Sequence, residues 1–473
     1  MTALTPPAES LRDLNDEPVS VETDAGPLRV HGIIPAGLAG TLLRNGPNPV
    51  NPAPDAHWFT GDGMLHAIRF HEGGVWYRNR WTRTQELARH QAGAASKGDF
   101  VPATPDTESH GTANTHIVWH GGRLMALEEA HLPIEIDPLS LATRGSIDFA
   151  GAISGPFTAH SKIDPDTGEM LFFGYGNPER LSAGMTYGTL NASGEATRFE
   201  HFTAPFASMV HDFMFTATQV ILPVMPLTAS QTRAMQGGPA YAWEPGRESR
   251  IGIWPRAQGT TEVEWWQGPS CFVFHAMNSW EDNGVVYADV MRFPVAPLFP
   301  DIDGNPPCTL DGARLHRWTF DPATPGRTFT EQLLCDIPGE FPRIDDRFAS
   351  KAYRHCWFAG HRTNDGETEM FSRIVHLDMR TGQQDIYELP AGYLTSEPVF
   401  VPRTATAAEG DGWIMVVVYC GLFGLSEVLI LDAQELARGP LATIELPVRV
   451  PNGFHGNWLP ADCYAATADA IWG

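Results

Sequence analysis

Short runs recur along almost the whole chain, some alternating apolar and polar side chains, others apolar throughout. "GVWYRNRWTRT", "TRFEHFTA", "GVVYADVMRF" and "WIMVVVYC" are examples. Alternation with period two puts one face of a strand on a core and the other in water. Between such runs stand "FHEGGVW", "WHGGRLM", "DPDTGEM", "WEDNGVV" and "MRTGQQD". Their Gly-Gly, Asn-Gly and neighbouring acidic residues are turn chemistry and predict hairpins. Helical periodicity is confined to "SLRDL", "TASQTRAMQ" and "DAQELARG".

Many hairpins over 473 residues, with 46 glycines and 39 prolines spread along the chain, predict an all-β fold. The absence of any break in composition favours one β-propeller domain over residues 26–473 rather than several small domains. Pattern alone does not fix the number of blades. Residues 1–25 are polar and proline-bearing and are expected to form an arm that wraps the body. The longest irregular segments, 84–112, 224–246 and 291–311, are expected to lie on one face as a roof of loops and short helices.

The formal net charge of −24 repels phosphate backbones, which argues against nucleic acid as a partner and against electrostatic attachment to anionic lipid. Weak peripheral membrane contact would need an apolar patch, for which "MRFPVAPLFP" (291–300) is the candidate. The six cysteines form no CxxC pair and read as reduced thiols. The N-terminus lacks a basic segment followed by an apolar run, and no stretch approaches 18 apolar residues. These features predict a soluble cytoplasmic protein.

Eighteen histidines are present, and most single histidines are surface or satisfied core residues. His71, His90, His120 and His131 sit beside glycines and charges and are read as turn residues. Four others differ: His160 in "SGPFTAHSKIDP", His211 in "FASMVHDFMFT", His275 in "SCFVFHAMNSWED" and His455 in "NGFHGNW". Each has an aromatic within a few residues. The first three lie 51 and 64 positions apart, about one blade each, and His455 follows 180 positions later, about three blades. Histidines at the inner ends of different blades converge on the axis, which is what an axial metal needs. Four neutral imidazoles suit Fe(II), as they suit zinc or copper.

At these motifs the chain resembles the carotenoid cleavage oxygenase family, which includes bacterial lignostilbene and apocarotenoid dioxygenases. The resemblance runs in order through "LLRNGPNP", "HWFTGDGMLH", "GTANTHIVWHGGRLMALEEAHLP", "FTAHSKIDPDTGEM", "VHDFMFT", "CFVFHAMNSWED", "EFPRIDDRF", "SEPVFVPR", "GDGWIMVVVY" and "GFHGNW". It implies a seven-bladed propeller with one non-haem Fe(II) on its axis, ligated by His160, His211, His275 and His455, and no organic cofactor. It also implies carboxylates behind the ligands: Glu129, Glu340 and Glu397 orienting His211, His275 and His455 respectively, with none for His160. Thr115 in "ANTH" matches a threonine whose methyl crowds one open iron position, and Phe59 in "HWFTGDG" matches a position lining the substrate tunnel.

The reaction so implied is O2-dependent cleavage of a conjugated C=C bond into two carbonyl products. The residues agree with it: no GxGxxG, P-loop or 2-oxo acid site is evident to supply a reductant, and no GxSxG elbow for hydrolysis. Oxygen atoms and electrons then both come from the reactants. An apolar, apocarotenoid-like alkene is the first expectation. The alternatives are a stilbene or phenylpropanoid aryl alkene of the lignostilbene or isoeugenol type, and a non-catalytic propeller that binds a ligand. Relatives that cleave hydroxylated stilbenes hold the phenol with a lysine just before the first carboxylate and a tyrosine from an upstream loop. Here the lysine position is Glu128, and the loop "HQAGAASKGDFVPATPD" has no tyrosine, leaving Lys97 as a substitute. Glu128 is a candidate substrate contact that could accept a hydrogen bond from a phenol but would not stabilise a phenolate.

Overall fold

The computed structural model describes residues 15–53, 57–94, 111–307, 312–364 and 367–464. The five turn segments singled out in the sequence join consecutive antiparallel strands, and these strands assemble into seven blades. Blade 2 contains His116–His120, Arg123–Leu127, Ile134–Ile136 and Thr143–Ser146. Blade 3 contains Lys162–Ile163, Met170–Tyr175, Gly184–Leu190 and Ala196–Thr203. Blade 4 contains Met214–Phe215, Gln219–Val224, Ser249–Pro255 and Glu264–Gly268.

Blades 5 and 6 share a seven-stranded sheet. The long strand Thr330–Ile344 pairs with Ala313–Phe320 over its first part and with His355–Asn364 over its last. One strand therefore closes blade 5 on the outside and opens blade 6 on the inside. Blade 7 is built on Gly412–Cys420, flanked inward by Val399–Pro402 and outward by Leu425–Asp432 and Ala442–Glu445.

Both ends of the described chain close the ring. Gly456–Pro460 pairs with Gly40–Pro47 as the innermost strand of blade 1, and Val30–Gly32 adds to Ala442–Glu445 as the outermost strand of blade 7. Asp24–Ala25 caps the outer edge of blade 1. Residues 15–17 lie against the same seam: Asn15 donates to Asn452, and Arg449 donates to the Asn15 and Glu17 carbonyls.

Strand composition follows radial position. Gly412–Cys420, apolar throughout, is buried along its whole length, and the outer strand Ala196–Thr203 has no buried residue and is exposed at Thr197, His201 and Thr203. The cores are wedges between blades. Phe173 and Tyr187 of blade 3 pack with Leu222 and Trp254 of blade 4, and Phe70 and Tyr77 of blade 1 pack with Val428 and Ile430 of blade 7.

The structure differs from the sequence expectations in several places. Residues 84–112 are not wholly irregular, because Gln85–Gln91 is a helix capped by the Thr84 side chain on the Leu87 N–H. Seven residues are too few for a helical period to register. "DAQELARG" supplies only a 3-10 turn, Leu436–Arg438. "TASQTRAMQ" contains the short helix Gln231–Met235. "SLRDL" and Lys97 lie outside the described residues. The run 291–300 is not an exposed apolar patch: Met291, Phe293, Ala296 and Phe299 are core residues. Among the described residues of the roof segments, the exposed large apolar side chains are Met235 and Ile302. His90 and His120 are buried, not turn residues on the surface; His90 Nδ1 lies 2.7 Å from Asp62.

Candidate metal centre

The innermost strands carry functional segments to the axis. His160 and His211 lie just before the inner strands of blades 3 and 4, Lys162–Ile163 and Met214–Phe215; His275 lies within that of blade 5, Phe272–Asp282, and His455 immediately precedes that of blade 1. Glu340 lies on the inner strand of blade 6, and Glu397 just before that of blade 7. The four histidines are buried, and their candidate ligand atoms lie within 4.8 Å of one another. Nε2–Nε2 separations are 3.0 Å for His160–His211 and 3.2 Å for both His211–His275 and His275–His455. With a metal–imidazole bond of about 2.1 Å, right-angled neighbours are separated by about 3.0 Å and tetrahedral ones by about 3.4 Å. The observed spacings fall at the lower value and between the two, the range expected of imidazoles that could share one ion.

The outer nitrogens settle which atoms face the centre. His211 Nδ1 pairs with Glu129, His275 Nδ1 lies 2.5 Å from Glu340 Oε2, and His455 Nδ1 lies 3.0 Å from Glu397 Oε1. A carboxylate only accepts, so each Nδ1 carries the proton and each Nε2 presents a lone pair. Ring nitrogens converging at about 3 Å repel unless a proton or a cation stands between them, and one divalent cation can serve all four at once. The donor set of neutral imidazoles suits a first-row divalent metal such as Fe(II).

Each carboxylate is itself fixed. Glu129 accepts from the Tyr175 hydroxyl at 2.6 Å. Glu397 accepts from the Gly456 N–H at 2.8 Å and lies 3.5 Å from Arg343. Glu340 accepts from the Phe341 N–H at 2.5 Å, across a register shift between Glu340 and Arg343, with Phe341 at a φ of 58°. Such a bulge turns one side chain out of the ladder. The second Glu340 oxygen is buried without a partner, and burial pushes its carboxyl up to about 8. Burial also holds the imidazoles of His160 and His455 well below their ordinary range and that of His275 at about 3. His211 is raised: burial opposes its charge, but the adjoining Glu129 outweighs it. A bound divalent cation works in the opposite sense on these groups, favouring neutral imidazole and ionised carboxylate.

Rings line the vicinity. Phe274 lies 5.1 Å from His211 between ring centroids, and Phe341 lies 5.5 Å from His275 and 5.6 Å from His455. Phe59, on the turn Trp58–Thr60, meets Phe454 at 5.5 Å and Phe274 at 6.2 Å. Apart from these rings, a cavity of about 470 Å³ reaches His160, His275 and His455; its lining is largely apolar, with Ile117, Trp119 and Met277, and includes the charged groups of Lys162, Asp212 and Arg343.

Thr115 sits next to the inner strand of blade 2, with its hydroxyl on Asn114 at 2.9 Å and its carbonyl accepting from the His455 N–H at 3.1 Å. Glu128 is already engaged. One oxygen pairs with His131, and the other accepts from the Thr112 N–H and hydroxyl. Sequence reasoning passed over Asp212, which accepts from the Ala276 N–H at 2.9 Å and pairs with Lys162, tying the His211 and His275 segments together. It also passed over Tyr175, Arg343, His116 and Asn457. Only a polar residue at the start of a strand with an apolar middle, Ile117–Trp119, could have marked His116.

No helix of the described residues is long and apolar enough to cross a membrane. A family model described as retinal pigment epithelial membrane protein matches residues 16–460. Isoeugenol monooxygenase of Pseudomonas nitroreducens is 34% identical over 461 residues, covering 94% of this chain and 96% of that protein. The crystal structure of a Pseudomonas brassicacearum lignostilbene dioxygenase superimposes with a TM-score of 0.89 at 34% identity, over 94% of this chain and 97% of the other. Cobalt-substituted apocarotenoid oxygenase of Synechocystis superimposes with a TM-score of 0.84 at 29% identity, over 95% and 98%. On this fold, metal-binding histidine set and extent of match, the chain belongs to the RPE65 or carotenoid cleavage oxygenase family.

Proposed function

We propose that the protein is an Fe(II)-dependent oxygenase that cleaves a conjugated C=C bond with O2 to give two carbonyl products. The observation that carries this reading is the set of four buried, converging Nε2 atoms, three of them with a carboxylate behind the ring. Iron bound there supplies O2 activation without an organic cofactor. Glu129, Glu340 and Glu397 fix tautomer and ring orientation, and their charge offsets that of the metal. Thr115, its hydroxyl engaged by Asn114, serves as a steric neighbour of the site rather than a proton donor. Phe59 and the rings around it exclude water and give a conjugated alkene an apolar face to lie on.

An apocarotenoid-like alkene suits these rings. A second reading, an aryl alkene bearing oxygen, draws support from Arg180, whose Nη1 is buried without a hydrogen-bond partner and whose electrostatic neighbours are Tyr241, Glu128 and Tyr175. Arg180, rather than Glu128, then supplies the donor for a substrate oxygen. A cytoplasmic setting is supported by the free thiols of Cys271, Cys335, Cys356, Cys420 and Cys463. Weak peripheral membrane contact would rest on Met235 and Ile302.

Iron-loaded protein should convert at least one member of an apocarotenoid, stilbene and phenylpropene panel under O2 into two carbonyl fragments detected by mass. Turnover that depends on zinc and proceeds without O2 would overturn the reading.

A further inference from the structure

We infer that His116 is a positioning residue of the metal centre, bridging the segments that carry His160 and His455 through its two ring nitrogens. The inference rests on the metal-centre reading above. His211, His275 and His455 each have a carboxylate on Nδ1, and no such partner is found for His160 among the described residues. His160 must take its orientation from its main chain. Its own N–H donates to Thr158 Oγ1 at 3.0 Å, and the carbonyl of Ala159, the residue before it, faces His116 Nδ1 at 2.8 Å.

The hydrogen bonds around His116 admit one arrangement. A carbonyl only accepts, so Nδ1 carries the proton. Nε2 lies 3.0 Å from Asn457 Nδ2. The orientation of that amide is fixed, because its oxygen accepts from Arg343 at 2.9 Å and its nitrogen also donates to the Ile117 carbonyl at 2.8 Å. An arginine has no acceptor, so Nε2 of His116 is the acceptor and the ring is a single neutral tautomer. The chain of contacts continues from Arg343 to the Gly456 carbonyl at 3.0 Å and to Glu397, which holds His455. The His116 ring lies 5.1 Å from that of His455 and 6.0 Å from that of His160, yet it is not one of the converging ligands. One side chain on blade 2 thus couples a ligand on blade 3 to the ligand that closes blade 1.

The test is titration of the metal-free full chain with Co(II), followed by its visible absorption, and with Fe(II) under anaerobic chelator competition. His116→Leu is expected to weaken metal binding by roughly 10- to 100-fold, the usual cost of losing such an outer partner, and to change the Co(II) spectrum. His116→Gln, whose amide can donate to Ala159 and accept from Asn457, is expected to stay within a few-fold of the parent. Asn457→Ala should shift in the direction of His116→Leu, and it carries the test should the leucine variant fail to fold. A purely structural role predicts a lower melting point of the apo form with parental Co(II) affinity and spectrum. That result, or a glutamine variant as impaired as the leucine one, would overturn the inference. If the parent chain itself binds neither metal, the metal-centre reading fails instead.

Discussion

His455 lies between glycines that neighbouring backbone requires. A Cβ on Gly456 would lie 2.4 Å from the Leu43 carbonyl oxygen, and one on Gly453 would lie 2.9 Å from that of Asn45. These glycines allow close approach to the adjoining strand of blade 1, and the imidazole reaches the axis as a consequence. Replacing His455 by alanine removes one of four ligands and leaves Glu397 buried without its imidazole. The expected outcome is a folded propeller, by circular dichroism, that retains less than a tenth of the parent iron by elemental analysis. A variant with full iron and activity would remove His455 from the ligand set.

At the scale of elements, ring closure depends on the strand Gly456–Pro460. Gly456→Ala is expected to destabilise by about 1–3 kcal/mol, as overpacking against fixed backbone does, read as a lower denaturant midpoint with accompanying loss of metal. The turn after Arg123–Leu127 carries the Glu128–His131 pair. Burial alone would raise the Glu128 carboxyl, but the His131 charge and hydrogen bonds bring it down to about 2, and the same carboxylate raises His131 against burial. Glu128 contributes stability above its ordinary 4.5 that is lost as pH falls toward about 2. His131 contributes below its ordinary 6.5, and that share is lost as pH rises through its raised value. Glu128→Gln should therefore cost most, about 2 kcal/mol, between roughly pH 4.5 and 6.5. Its melting point should converge on the parent's toward both acid and alkali; a pH-independent difference would exclude the ion pair as its source.

For the whole molecule, metal and ring are thermodynamically linked. Ligands from blades 1, 3, 4 and 5 meet only when the ring is shut, so a metal that binds the closed state stabilises it. At a free metal concentration 100 times Kd the gain is about 2.7 kcal/mol. Chelation should lower the melting point, and Fe(II) or Co(II) should restore it in a concentration-dependent way. An unchanged melting point would mean that closure and metal binding are independent.

Hairpins were legible because turn pairs and period-two patterns are local, and each of the five turn segments joins two strands. Apolar setting and blade-like spacing marked four histidines as candidates, and the resemblance of the motifs around them to a known family made them a ligand set. Other features depend on residues that periodicity does not relate. The pattern did not give the count of seven, the strand shared between blades 5 and 6, or the double closure by both chain ends. It did not show that Glu128 is occupied by His131 and Thr112, nor that His116 and Asn457, 341 positions apart, join two ligand segments. The sequence by itself determined strands, turns and which imidazoles are available, since these follow from near neighbours. Only the tertiary structure decided where those imidazoles aim and what stands behind them, because that depends on contacts made when the ring closes.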